Sequence, residues 1–254
     1  SIPLLGLTDT AVIGHLDILD VLAGISMGAV LMGSIYWFFG FLRMGITGLV
    51  AQARGSNQNI EVSSILVRGL IIAGIGGFGL ITIHYMLFSA IFYFLEGNVS
   101  AEKFAMQYMT IRVLAAPFAI SMFVFVGWLF GMGKTFHSLC LLLAVNVLNI
   151  VLDIIFVKFF YLGIAGVAYA TILAEFFGFA LGIYLCREAL FDNLLTNYSF
   201  DYNPQSLAFS FLNCGFLSLH LLLQLLRYYN YLLSLLFVYL STDHISQQKK
   251  IILN

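Results

Sequence analysis

Three carboxylates stand inside apolar stretches that offer them little water. They are Asp9 in LLGLTDTAVIG, Asp153 in NVLNIVLDIIFV and Glu175 in GVAYATILAEFFG. Neutral oxygen donors accompany each one. Thr8 and Thr10 flank Asp9, Asn149 precedes Asp153 by four residues, and Thr171 precedes Glu175 by four. On a helix, a four-residue step puts two side chains on one face, about 6 Å apart along the axis. Asn146 extends the Asn149–Asp153 stripe. Carboxylate, amide and hydroxyl oxygens together suit a hard cation. A carboxyl group held away from bulk water can also take up and release a proton near neutral pH. The competing reading is structural: the same residues could pair with one another and hold a bundle together.

Other chemistries fit poorly. Cys140, Cys186 and Cys214 are far apart and make no CxxC pair, and the five histidines are scattered, so neither a disulfide framework nor a zinc site is expected. GMGKT at 131–135 is not a phosphate loop, because the position that needs the leading glycine holds Trp128. No HExxH or GxSxG motif appears, and an enzyme is not expected.

The elements that carry these residues must be membrane helices. Of 254 residues, 61% are apolar and only 9% charged, and the mean hydropathy is +1.01. A soluble domain has roughly 45–50% apolar and 25% charged residues. Eleven basic and twelve acidic residues nearly cancel, with no basic patch for a nucleic acid. Apolar runs fall at 1–16, 22–50, 65–95, 105–131, 138–160 and 163–186, with a seventh candidate at 207–241. They are continuous rather than alternating, which disfavours a strand barrel. The fold expected is an all-α integral membrane lobe of six helices plus a possible seventh. The first run looks like the second half of a helix.

Loop charges orient the lobe. Arg54, Arg68, Lys134 and Arg187 fall in one alternate set of loops. Asp17, Asp20, Glu96, Glu102 and Lys103 fall in the other. The basic set is expected in the cytoplasm, with Lys158 as an exception that can snorkel. Gly166, Ala170, Ala174, Gly178 and Gly182 recur every four residues and predict a close helix–helix face. Gly24 with Gly28 and Gly127 with Gly131 are shorter versions. Arg43 reads as a snorkelling residue near the cytoplasmic end of its run. Arg112, just before a kink at Pro117, reads as half of a structural ion pair.

PLLGLTDTAVIGHL at 3–16, FLRMGITGLVAQARG at 41–55, NVLNIVLDIIFV at 146–157 and GIAGVAYATILAE at 163–175 resemble helix signatures of the multidrug and toxic compound extrusion family, in its DNA-damage-inducible branch. The motifs keep the family's order and cover most of residues 1–190. The resemblance implies a transporter of twelve helices in two six-helix lobes, working by alternating access. It implies a cation site made by Asp9, Asn149, Asp153 and Thr171, with Glu175 and Asn146 as further candidates. The coupling ion would be a proton or Na+, with no organic cofactor and no other metal. The expected activity is cation-coupled antiport that exports small drugs or toxic organic compounds, amphipathic or cationic, across the inner (plasma) membrane. Its partners would be the small-molecule substrate and the bilayer.

The chain departs from that pattern beyond residue 190. Residues 1–190 read as the N-terminal lobe with helix one truncated. Residues 191–254 read as a linker and apolar tail, a frameshifted or truncated start of the second lobe. Of the 23 glycines, only Gly215 lies past residue 200. The second lobe is then missing or supplied by another chain. Alternatives are a lipid-linked sugar flippase of the same superfamily, or a non-transporting fragment or dimerising half-subunit.

Overall fold

The computed structural model describes residues 19–94 and 99–195. Its helices are α1 (Leu19–Phe38), α2 (Gly40–Gly55), α3 (Asn59–Phe94), α4 (Val99–Arg112), α5 (Ala116–Gly131), α6 (Thr135–Ile154), α7 (Gly163–Leu185) and α8 (Arg187–Leu195). A 3-10 turn (Val113–Ala115) joins α4 to α5, and a π turn (Ile155–Phe159) extends α6. Among the described residues there is no strand. Five segments are long and apolar enough to cross a membrane: Ala23–Gly55, Asn59–Tyr93, Val99–Gly131, Thr135–Phe159 and Gly163–Leu185. They correspond to runs two to six. The first and seventh runs lie outside the described residues.

Two boundaries differ from the apolar runs, for local reasons. α3 starts at Asn59, six residues before its run, because its polar first turns satisfy themselves. Arg68 Nη1 meets Glu61 Oε1 at 3.0 Å, and Ser64 Oγ donates to the Ile60 carbonyl at 2.9 Å. The first span breaks at Phe39. There the backbone tightens to three-residue hydrogen bonds, Phe39 N to Tyr36 O and Leu42 N to Phe39 O, both 3.0 Å. The rings of Phe38 and Phe39 meet edge to face at 5.6 Å across the break.

Pro117 behaves as its chemistry requires. It has no N–H and cannot sit deep in a helix, so it falls in the first turn of α5, directly after the 3-10 turn. Ser121 Oγ donates to the Pro117 carbonyl at 2.7 Å. α3 passes so close that a side chain on Gly77 would meet the Pro117 nitrogen at 2.5 Å.

The two connections at the basic end are built alike. Asn57 and Gly133 take left-handed φ values of 56° and 70°. The following amides turn back, Gln58 N to Ala53 O at 2.9 Å and Lys134 N to Leu129 O at 2.8 Å. Both are Schellman caps, and the glycine of GMGKT serves this turn. Arg54 Nη1 hydrogen-bonds the Met132 carbonyl and so ties one connection to the other. Trp128 Nε1 donates to the Val62 carbonyl at 3.0 Å. Cys186 closes this end. Its thiol is pushed up to about 12 by burial, against the opposing pull of the Lys134 charge.

α4 and α5 form the middle of the bundle. α1 packs on α4, α2 and α3 on α5, α7 on both, and α6 on α7, while α8 lies along α3. In lipid, apolar burial gives little drive for association, and close van der Waals fit replaces it. The predicted small-residue face of α7 is buried at all five positions. A side chain on Gly178 would meet Val145 Cγ2 of α6 at 2.5 Å. The shorter pairs are as tight: Gly24 would strike Phe104 Cβ at 2.5 Å, and Gly127 the Arg43 carbonyl at 2.6 Å.

Candidate functional site

α6 and α7 place three of the expected site residues side by side. Asn149, Asp153 and Thr171 are each fully buried, with no exposed surface. Asn149 Nδ2 donates to Thr171 Oγ1 at 3.2 Å, and Thr171 Oγ1 donates onward to the Val167 carbonyl of its own helix at 3.1 Å. This fixes the hydroxyl and turns the amide, so Asn149 Oδ1 has no hydrogen-bond partner among the described residues. Asp153 sits one turn further along α6 on the same buried stripe. The resulting donor set is a carboxylate, an open amide oxygen and a hydroxyl, all shielded from solvent.

The other candidates fall elsewhere. Asp9 lies outside the described residues. Asn146 is half-buried and donates to the Leu142 carbonyl of its own helix at 2.6 Å. Glu175, one turn from Thr171, is brought to Arg112, whose Nη2 lies 3.9 Å from Glu175 Oε1. Both members are buried, at 1% and 5% side-chain exposure, so the expected ion pair of Arg112 spans α4 and α7.

Two tyrosines that the sequence reading did not single out complete this pair. Arg112 Nη1 donates to the Tyr108 hydroxyl at 2.6 Å, and the Tyr36 hydroxyl donates to the Arg112 carbonyl at 3.3 Å. Tyr108 lies four residues before Arg112, a spacing that could have pointed to it. Tyr36 lies 76 residues away, and nothing in its local sequence marks it. Among the described residues, no group of three His, Cys, Asp or Glu side chains could hold a metal ion. The donors that α6 and α7 do bring together, a carboxylate, an amide oxygen and a hydroxyl, are hard oxygens.

Comparison with known proteins identifies the family. The MatE family model matches residues 1–155. The chain belongs to the MatE family. This MatE member is 34% identical over 190 residues to the DNA damage-inducible protein F of Escherichia coli (strain K12). The match covers 75% of this chain and 41% of that protein, so the chain spans less than half of its relative. Two solved structures share its fold. One is the inward-facing conformation of a multidrug resistance MATE family transporter of the MOP superfamily, with a TM-score of 0.74 at 22% identity. It is matched over 86% of this chain and 49% of that one. The other is the outward-facing conformation of such a transporter, again with a TM-score of 0.74 at 22% identity. There the match covers 85% of this chain and 48% of the other. The MatE chain is thus a multi-pass, all-α membrane protein matching about half of each solved chain.

Proposed function

We propose that this chain is the N-terminal lobe of a cation-coupled antiporter that exports small amphipathic organic compounds across the inner membrane. Asp153 takes the proton or Na+, Asn149 and Thr171 supply neutral oxygens, and Asp9 of the first run completes the set. The observation that carries the reading is the buried contact between Asn149 and Thr171, which leaves an amide oxygen open one turn from a buried carboxylate. A carboxylate in lipid without a role is costly, by roughly 2.5–3.5 kcal/mol on insertion scales. The Arg112–Glu175 pair is self-compensating and stands outside the ion step.

Coupling needs an ion that binds one orientation of the lobes better than the other. The equal likeness of this lobe to an inward-facing and an outward-facing transporter supports a lobe that moves as a rigid body. Residues 191–254 are, in the same reading, a linker and apolar tail, a frameshifted or truncated start of a second lobe that is missing or supplied by another chain.

The test is transport in proteoliposomes by a two-lobe version carrying this lobe, with proton and Na+ gradients imposed separately. Asp153→Asn is expected to abolish gradient-driven efflux while insertion and yield stay normal. Unimpaired efflux by that variant refutes the assignment. The gradient that drives the unmodified protein identifies the ion.

A further inference from the structure

Arg43 is anomalous among the cations of the lobe. Arg54, Arg68 and Arg112 are hydrogen-bonded, and Lys134 and Arg187 lie over the rings of Trp128 and Tyr184 at 5.9 and 4.4 Å. Arg43, Lys103 and Lys158 have no hydrogen-bond or ion-pair partner among the described residues, and all three are exposed. Lys103 and Lys158 lie near the ends of their spans. Arg43 lies twelve residues inside the Gly55 end of Ala23–Gly55, about 18 Å along the axis.

Snorkelling explains Arg43 less well than the sequence alone suggested. A helical side chain leans towards the N-terminus of its helix, and for Arg43 that direction is away from the Gly55 end. The face around it is also wrong for lipid. The exposed sides of α3 and α6 are large and apolar, with Ile75, Phe78 and Met86 on one and Leu143 and Val147 on the other. The exposed residues of α2 are Arg43, Met44, Gly48, Ala51, Gln52, Arg54 and Gly55. Only Met44 is large and apolar, and a side chain on Gly40 or Gly48 would meet nothing within 4 Å. α2 carries two arginines and no acidic residue. This face sets Met44 and the open ground over Gly40 and Gly48 on the helix that carries one uncompensated guanidinium, which is complementary to an organic ion bearing a negative group.

We propose that Arg43 is a specificity-determining residue that holds the anionic group of an amphipathic organic solute against the exposed face of α2. The inference rests on the transporter reading, since it names the substrate class of that pathway. It does not depend on which ion drives the cycle.

The test is calorimetric binding to the full chain in phosphatidylcholine nanodiscs, with empty nanodiscs subtracted. Tetraphenylborate and tetraphenylphosphonium serve as probes of matched size and opposite charge. Tetraphenylborate is expected to bind the unmodified chain, and Arg43→Gln to weaken it by about tenfold through lost charge attraction and cation–π contact. Arg43→Lys should keep affinity within a few fold, and tetraphenylphosphonium should bind no worse to Arg43→Gln than to the unmodified chain. No preference for the borate, equal borate binding by Arg43→Gln, or loss of both probes together overturns the proposal. So does a borate effect abolished by a physiological fraction of phosphatidylglycerol, which assigns the arginine to a lipid headgroup. No gradient is involved, so failure here and failure of the Asp153→Asn experiment are separate results.

Discussion

Thr171 holds two roles with one oxygen: it accepts from Asn149 and donates to Val167. Thr171→Val keeps the shape but removes the acceptor, leaving a buried amide donor unpaired. In a membrane bundle such a loss costs about 1 kcal/mol, because the unfolded chain in lipid finds other partners. Unfolding by titration with sodium dodecyl sulfate should show that shift, and Thr171→Ser should recover most of it. An unchanged midpoint for Thr171→Val contradicts the contact. Asn149, Asp153 and Thr171 could be picked out from sequence because polar residues in apolar runs are conspicuous and four-residue spacing fixes a helical face. The partner of Glu175 could not, since Arg112 is 63 positions away and only packing of α4 on α7 brings the two together.

Helix contacts in this lobe are set by where side chains are missing. Gly127 faces the backbone of Arg43, with no flexible atom to move aside, whereas Gly48 faces open space. Gly127→Ala should therefore destabilise the bundle by about 1–3 kcal/mol through overpacking. Gly48→Ala should be neutral or slightly stabilising, since alanine gains about 1 kcal/mol over glycine within a helix. The two midpoints measured side by side check the packing of α2 on α5, and equal effects would sink it. Five of the apolar runs matched spans because hydropathy reports long helices directly. It missed the start of α3 because Glu61 and Ser64 read as loop residues until their partners are seen. It missed the break at Phe39 because hydropathy does not register a local tightening of backbone hydrogen bonds, although Gly40 stands directly after it.

At the scale of the molecule, the two Schellman-capped connections and Cys186 share one end, and Phe160 lies at the other. With the basic end in the cytoplasm, Gln58→Cys should be shielded from a membrane-impermeant maleimide in intact cells, and Phe160→Cys should be labelled. The opposite pattern inverts the lobe. Among the described residues, the spans were legible in the sequence from run two to run six, and the pairing of helices was legible only where small residues marked it. The π turn at Ile155–Phe159, directly after Asp153, has a consequence for how such lobes diverge. A π turn holds one residue more than the α-helix it replaces. Deleting a single residue there would restore regular winding without shortening the connection appreciably. The segment beyond it would keep its facing relative to Asp153, because the widened turn has already absorbed the extra residue. One codon lost or gained at this point is thus a small genetic step that the turn beside the buried carboxylate can absorb while α6 and α7 keep their packing.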